Sequence, residues 1–383
     1  MNQLNGQTCR LCKAVLDSGG PALELRHVPM GAQHFPKPEQ READYGVDLD
    51  IYQCSYCGLI QLSGEPVIYG EGETSATAFS PTMSEHRTQQ MREFIGEFGL
   101  AGKKVIDIGC GDGHVVKILG DAGADAFGIE PSNKARALGE SRGLRILEGY
   151  ASREHELEGA PYDAFVSIHS LEHAPDPNDF LQGVRAALAP HGVGLVEVPC
   201  VEQVIEHQRF FDFLADHLSY FSAETLRFAL EKNGFEVLRV ARDWGGEHLV
   251  AQVRRRENAD FGALRRHAEQ LPEEFERFVN AHSGEDKRVA LWGASHHAIT
   301  LLAMVRTKGI EYVVDSALYK QGRFTPVSHL PIVGPEHLRS HPVDVVIVVA
   351  PRYNDEIVAQ LQSELKFGGT IALLRGSSIE VLQ

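Results

Sequence analysis

The sequence predicts an α/β protein with two separate parallel sheets, and three observations lead to that class. Short apolar runs of strand type alternate with helical patterns through the middle of the chain, and the alternation resumes near its C-terminus. Two Cys-x-x-Cys pairs precede both stretches. The length of 383 residues accommodates two or three domains. We therefore expect two Rossmann-like domains behind a small cysteine-rich module.

Composition and charge limit the classes of function. The hydrophobic fraction is 43% and the charged fraction 23%, which is typical of a globular protein. The formal net charge of −16 argues against non-specific binding to nucleic acid or to an anionic membrane. The first residues lack the apolar core of a signal peptide, and no apolar run reaches transmembrane length. We expect a cytoplasmic protein with no nucleic-acid or membrane partner.

The N-terminal segment carries the pattern of a metal site. Its four cysteines are Cys9, Cys12, Cys54 and Cys57. Two Cys-x-x-Cys turns can supply four thiolates to a tetrahedral zinc ion, and a site with four cysteines leaves no position open for chemistry. The sequence therefore predicts structural zinc, with two redox dithiols or a pair of disulfides as the alternative.

A glycine-rich turn organises the middle of the chain. Val105, Ile106 and Ile108 form a buried strand, and the following Gly-x-Gly-x-Gly allows a tight turn close to a ligand. The next strand, 126–130, ends in Glu130 at the distance expected of a βαβ unit, where a carboxylate can accept hydrogen bonds from a ribose. Asp107 inside the first strand favours a ligand with a cationic amine over one with phosphates.

The run Asp107-Ile-Gly-Cys-Gly-Asp-Gly113 resembles motif I of the class I S-adenosylmethionine (SAM) methyltransferases. The resemblance implies a SAM site, with a purely structural strand–turn–helix as the alternative. The expected cofactor-binding residues are Asp107, Gly109, Cys110, Gly111, Glu130, Pro131 and His169. Further strands at 145–147, 162–168 and 194–199 predict a parallel sheet with helices on both faces. A helix is expected at 82–98, and the stretch 63–80 is expected to be a linker or a lid.

The segment after the fourth of these strands contains Leu171-Glu172-His173, which resembles a signature of many SAM methyltransferases. His169 is expected to form a wall of the cofactor pocket. His173 either contributes to the site or only packs the loop.

The order of the modules resembles the sugar C-methyltransferases, which act on nucleotide-linked keto-deoxysugars. In that family a run of Glu-His followed by Phe-Ser comes after the fifth strand, and here Asp216-His217 and Phe221-Ser222 take those positions. The resemblance implies C-methylation beside a ketone, with His217 as the base and Asp216 as its acidic neighbour. The alternative for His217 is a structural histidine at a helix start. Histidine titrates near neutrality and suits the removal of an α-proton.

Three positions on the substrate side depart from the family. Leu214 replaces a tyrosine, a tyrosine before the first domain helix has no counterpart, and Glu247-His248 stands where the family has serine and a nearby arginine. The acceptor is therefore expected to be a small molecule, but N- or O-methylation of another metabolite stays open. A SAM-binding sensor without catalysis is a further alternative.

The C-terminal part predicts a second Rossmann-like unit. Strands are expected at 288–292, 312–315, 343–350 and 370–374, and Gly293-Ala294-Ser295 forms the turn before a helix. His296 and His297 in that turn are candidates for substrate contact, with two exposed histidines at a helix N-terminus as the alternative. The expected domains are a zinc module at 1–75, a SAM-binding domain at 76–255, a helical connector at 256–285 and the C-terminal domain at 286–383.

Overall fold

The computed structural model describes residues 7–16, 19–30, 35–64, 80–284, 287–306, 308–376 and 378–382. The chain divides into two compact units, Met1–Glu257 and Asn258–Gln383. The predicted α/β class is confirmed. Most of the stretch 63–80, for which the sequence left a linker or a lid open, lies outside the described residues.

The first unit contains eleven strands and six α-helices among its described residues. In chain order they are β1 (Leu23–Val28), β2 (Val47–Gln53), β3 (Ile60–Leu62), α1 (Pro81–Glu97), β4 (Lys104–Ile108), α2 (His114–Asp121), β5 (Asp125–Glu130), α3 (Asn133–Ser141), β6 (Ile146–Glu148), β7 (Tyr162–Ile168), α4 (Pro177–Ala186), β8 (Leu188–Pro199), α5 (Val201–Glu206), β9 (Ser219–Tyr220), α6 (Ala223–Lys232), β10 (Phe235–Asp243) and β11 (His248–Arg255). Short 3₁₀ turns lie at Pro38–Gln40, Leu171–His173, Phe210–Asp212 and Trp244–Gly246.

A seven-stranded sheet forms the centre of this unit, with the strand order β10-β11-β8-β7-β4-β5-β6. The strands from β8 to β6 are parallel, and β11 and β10 extend the sheet antiparallel. The middle strands are buried on both faces, as their continuous apolar runs predict. The antiparallel pair was not predicted. Because the strand order turns back between β4 and β7, the crevice for a ligand lies at the carboxyl ends of these strands.

The cysteine-rich segment forms a separate four-stranded antiparallel sheet, in the order β1-β2-β3-β9. Its fourth strand comes from far along the chain, where Ile60 pairs with Tyr220. Leu49, Ile51 and Leu62 pack with Tyr220 in one apolar cluster. The N-terminal module is therefore completed by the segment that carries His217.

The second unit has a six-stranded sheet. Its elements are α7 (Gly262–His282), β12 (Val289–Trp292), α8 (His296–Met304), β13 (Ile310–Val314), β14 (Ile332–Val333), α9 (His337–Ser340), β15 (Val345–Val348), α10 (Asn354–Ala359), β16 (Thr370–Arg375) and β17 (Ser378–Val381). The order is β14-β13-β12-β15-β16-β17, parallel except for β17.

Helix α7 packs onto the core of the second unit through Phe275 and Val279. The apolar spacing of Leu264, Leu271, Phe275 and Phe278 in the sequence predicts one buried stripe, but Leu264 is exposed and the buried residues of α7 lie in its second half. In the described part of the chain, no helix is long and apolar enough to cross a bilayer.

Candidate active site

The glycine loop after β4 lies under the turn that follows β7. Gly109 has a φ of +75°, and a Cβ at this position would lie 2.4 Å from Ser170 Oγ. The Ser170 hydroxyl donates to the carbonyl of Ile108 at 3.0 Å. Only glycine satisfies both the positive φ and this close approach, so the loop can bring its backbone directly to a ligand.

Glu130 holds the glycine loop from the end of β5. Its carboxylate accepts one hydrogen bond from the Gly111 amide and another from the Ser132 amide, each at 2.9 Å. Pro131 lies between them and is exposed. The carboxylate therefore already orders the loop, and a contact with a ribose would add to these two bonds.

Asp107 lies beneath the loop and is 3% exposed. Burial raises the pKa of its carboxyl to about 7, although the positive charge of Arg87 opposes the increase. The Cys110 thiol packs toward Gly128 inside the sheet, so this residue can face a ligand only through its backbone. Among the expected cofactor residues, Asp107 is thus the one whose charge a cationic ligand can change most.

A buried ion pair fixes helix α1 to the end of β8. The Arg87 guanidinium donates two hydrogen bonds of 2.6 Å to the Glu197 carboxylate, and the Gln90 amide donates a third of 2.9 Å. The Arg87 and Glu197 side chains are 1% and 0% exposed. Burial favours the neutral acid, but Arg87 and two histidines hold the pKa of Glu197 well below its usual value.

Those two histidines are His169 and His248. His169 Nε2 and His248 Nδ1 each lie 3.1 Å from Glu197 Oε1, and their rings meet edge to face. On its other side, His169 Nδ1 lies 3.4 Å from Glu172 Oε1. Burial lowers the pKa of His169, but Glu172 and Glu197 outweigh it and raise the pKa to about 9. His169 is therefore an imidazolium at neutral pH.

Glu172, His173 and His217 form a second cluster beside the first. One possible ligand atom from each lies within 4.8 Å of the other two. His173 Nδ1 donates to the Asp216 carbonyl at 2.8 Å, and the His173 and His217 rings meet edge to face at 4.7 Å. We call these three residues the triad cluster. The segment that joins the two sheets thereby brings His217 to the loop after β7.

Protonation differs across the two clusters. Burial lowers the pKa of His217, whereas the pKa of Glu172 falls to about 2 because His169, His173 and His217 outweigh its desolvation. At pH 7, His217 is neutral and Glu172 is ionised. Opposed pKa shifts in one site are the usual mark of separate acid and base roles.

Leu214, the residue that departs from the tyrosine of the family, contributes its backbone. The Tyr220 hydroxyl accepts from the Leu214 amide at 2.7 Å and donates to its carbonyl at 3.1 Å. Burial raises the pKa of Tyr220 above its usual value. The Tyr220 hydroxyl therefore fixes the loop before His217 and stays protonated.

The four N-terminal cysteines meet in one cluster. The Cys9 and Cys57 sulfurs are 3.5 Å apart, as are those of Cys12 and Cys54, and all four lie within 4.8 Å of one another. These separations are far longer than a disulfide bond of about 2 Å. Four thiols converging on one point match the ligand set of structural zinc.

The second unit repeats one device of the first. The Asp315 carboxylate, just after β13, accepts a hydrogen bond from the Ala294 amide and pairs with Lys320 Nζ, both at 2.8 Å. His296 and His297 are exposed at the start of α8, with ring centroids 3.8 Å apart. Their expected contact with substrate stays a prediction.

The expected site residues thus fall into two neighbouring groups in the first unit: the glycine loop with Asp107 and Glu130, and the histidines after β7 and before β9. Sequence reasoning missed Arg87 and Glu197. The second had a signal, because a lone acid inside the apolar run 195–199 must find a buried partner. Arg87 had none that distinguishes it from other helix-surface arginines.

Two family descriptions match the chain. A methyltransferase domain covers residues 83–240, and a C-methyltransferase C-terminal domain covers residues 248–374. The C-methyltransferase NovU of Streptomyces niveus is 26% identical over 94% of this chain and 93% of its own length. The ubiquinone biosynthesis O-methyltransferase of Actinobacillus pleuropneumoniae serotype 7 (strain AP76) is 36% identical over 25% of this chain and 45% of its own length. A solved SAM-dependent methyltransferase from Clostridium acetobutylicum superposes with a TM-score of 0.39 at 13% identity, over 45% of this chain and 92% of that one.

Proposed function

Since this chain belongs to the SAM-dependent C-methyltransferases, we propose that it methylates a carbon next to the ketone of a nucleotide-linked keto-deoxysugar, with His217 as the base. The observation that carries the proposal is the position of His217. Its ring is held in its neutral form beside the ionised Glu172, at the end of the sheet where the glycine loop lies. Asp216 supports it through the carbonyl that orients His173.

The cofactor residues fit SAM by their chemistry. Gly109 and Gly111 present backbone where side chains would collide or strain, and Glu130 offers carboxylate oxygens beside them. Asp107 is a buried acid that a cationic ligand would ionise. Bound SAM supplies an electrophilic methyl group, and the protein aligns the acceptor for an in-line attack.

His217 acts on the acceptor. Its neutral nitrogen takes the proton from the carbon beside the ketone, and the electron pair of the broken C–H bond moves toward the carbonyl oxygen. The charge on the resulting imidazolium is stabilised by the Glu172 carboxylate nearby. The acceptor carbon can then form its new bond to the methyl group while the carbonyl reforms, and His217 releases its proton to solvent.

Solvent exchange separates this step from methyl transfer. The protein is mixed with S-adenosylhomocysteine and dTDP-4-keto-6-deoxyglucose in D₂O, and deuterium at the carbons beside the ketone is followed by NMR. We expect exchange in the native protein and a loss of about 10²- to 10⁴-fold in His217→Asn, with SAM affinity unchanged. His207→Asn, at an exposed position, is the matched control.

Three outcomes would contradict the proposal. Exchange that persists in His217→Asn would remove His217 from the role of base. Methyl transfer to an oxygen or nitrogen of any acceptor, without carbon exchange, would favour the alternative N- or O-methylation. Tight binding of SAM with no turnover of any keto-sugar nucleotide would favour a sensor.

We also propose that the four cysteines hold a structural zinc ion. The convergence of Cys9, Cys12, Cys54 and Cys57, and the small apolar cluster of the N-terminal sheet, support a role in stability. A cytoplasmic location stays a proposal that rests on the sequence.

A further inference from the structure

Glu172 has an arrangement that the proposed reaction does not by itself explain. Its side chain is 1% exposed, yet no hydrogen bond reaches either carboxylate oxygen from the part of the chain that the structure describes. His169 Nδ1 is an ion-pair partner at 3.4 Å, and its pull keeps the acid ionised. A buried carboxylate without hydrogen-bond donors is costly, so a donor is expected to arrive with a ligand.

The spacing of the triad cluster suits one such donor. An atom at the centre of three ligand atoms that lie within 4.8 Å of one another is at most about 2.8 Å from each, which is the distance of an O–H···O bond. His173 and His217 are only partly buried, so the cluster is more accessible on their side than on that of Glu172. A hydroxyl oxygen fits this position, and its hydrogen can then be donated to the Glu172 carboxylate.

The framework around Glu172 is rigid. Its carbonyl accepts from the Leu218 amide at 2.8 Å, and His173 is fixed by the Asp216 carbonyl. His169 is fixed in turn by Glu197, which Arg87 holds from α1. The carboxylate therefore cannot turn away to find water at low cost, which makes it a selective receptor for a group on the acceptor.

We propose that Glu172 accepts a hydrogen bond from a hydroxyl of the methyl acceptor, and that this contact selects keto-sugars with a hydroxyl close to the carbon that is deprotonated. The inference rests on the proposed function, because it assigns the surroundings of the same carbon. It adds a requirement on the acceptor: a hydroxyl donor within one or two bonds of the reacting carbon. An acceptor without it leaves the carboxylate unpaired in a desolvated site.

The test compares two acceptors in a matched set of variants. kcat/KM is measured with dTDP-4-keto-6-deoxyglucose and with analogues that lack the 2- or the 3-hydroxyl. We expect the native protein to prefer the hydroxylated acceptor over one of the analogues by about 10²-fold or more. In Glu172→Ala the preference should fall below about tenfold, and Glu172→Gln, which keeps an oxygen acceptor without the charge, should lie between. Glu231→Gln, on the exposed face of α6, should keep the full preference.

SAM affinity, measured by calorimetry in each variant, confirms that the fold is retained. Equal losses for all acceptors in Glu172→Ala, with the ratio unchanged, would overturn the inference and leave Glu172 acting only through His217. Turnover that requires an added divalent cation, tested with MnCl₂ and with a chelator at a dose that leaves tightly held zinc in place, would also overturn it, since an ion would then fill the triad cluster. If the native protein neither exchanges the proton beside the ketone nor methylates any keto-sugar, the proposed function itself fails, and the inference fails with it.

Discussion

At the scale of single residues, two histidines of one crevice are driven to opposite protonation states. His169 lies between two buried carboxylates, whereas at His217 burial outweighs the charges of Glu172 and Asp216. The sequence alone makes these residues look alike. Their pKa shifts differ because Glu197 reaches His169 from β8, a contact that depends on the pairing of distant strands.

The His169 ion pairs predict how stability depends on pH. Because the pKa of His169 is raised from its ordinary 6.5 to about 9, its contribution is complete below pH 6.5 and is lost as the pH rises through 9. The pKa of Glu172 is lowered, so the stability that Glu172 contributes through its pair with His169 is present above pH 4.5 and is lost as the pH falls toward 2. We expect the free energy of unfolding, from urea titrations, to decline between pH 6.5 and 9 in the native protein and to change less in His169→Gln. His191→Gln, at an exposed position, should keep the native slope.

Asp107 predicts a pH dependence of cofactor binding. Its pKa of about 7 means that much of the carboxyl is protonated near neutrality, and a cationic ligand must release that proton to pair with it. SAM affinity should therefore weaken about tenfold between pH 8 and pH 6. Isothermal titration should show weak, pH-independent binding in Asp107→Asn. Asp121→Asn, exposed at the end of α2, is the control. If SAM binding to Asp107→Asn still weakened between pH 8 and pH 6 as it does in the native protein, Asp107 would not be the group responsible.

At the scale of elements, helix α1 depends on one buried ion pair. Its apolar face is short, with Met91, Phe94 and Ile95 buried, and Arg87 adds the contact to the sheet. Replacing Arg87 by methionine leaves the Glu197 charge without its main partner, and we expect a loss of about 3–5 kcal/mol in the free energy of unfolding. Chemical denaturation of Arg87→Met against the exposed Arg92→Met measures it. A loss below about 1 kcal/mol would mean that the two histidines suffice to hold Glu197.

The parts of the fold that could be predicted from the sequence are those with local signals. Apolar runs and glycine turns identified β4, β5, β7 and β8 and the helix after the glycine loop, because each pattern is fixed by neighbours within a few residues. β10 was missed because its burial is only partial, and β11, although largely buried, because its place in the sheet depends on its pairing with the distant β8. The glycine loop was predictable for the same reason as the strands. The contacts of Glu197, and the one between Glu172 and His217, were not, because each joins segments more than twenty residues apart.

At the scale of the whole molecule, the cysteine cluster and the candidate base are linked by one sheet. β3 follows the second cysteine pair in the chain, and its partner strand β9 begins two residues after His217. We expect one zinc ion per chain by metal analysis, and none in Cys54→Ser. Loss of the metal should also lower the exchange of the acceptor proton, although no cysteine contacts the triad cluster among the described residues. Cys200→Ser should retain both the metal and the exchange of the acceptor proton. If Cys54→Ser lost the metal but kept full exchange, the metal would not support the site that contains His217.

The division into two units predicts where a protease can cut. Residues 256–261 are exposed and lie between β11 and α7 without helix or strand. Limited trypsin digestion should release fragments that end at Arg256, identified by mass spectrometry, and Arg256→Gln should remove that product. If trypsin cut first inside 262–282, the accessible boundary between the two units would not lie at 256–261.

The pairing of Ile60 with Tyr220 also sets an order for events during synthesis. The ribosome has translated all four N-terminal cysteines by residue 57, yet β9, the last strand of their sheet, is complete only at residue 220. At about 5–20 residues per second, the nascent module waits on the order of 10–30 s with an open strand edge. An early metal ion would hold the two cysteine turns together through that interval, so that β3 still presents its edge when β9 emerges from the exit tunnel.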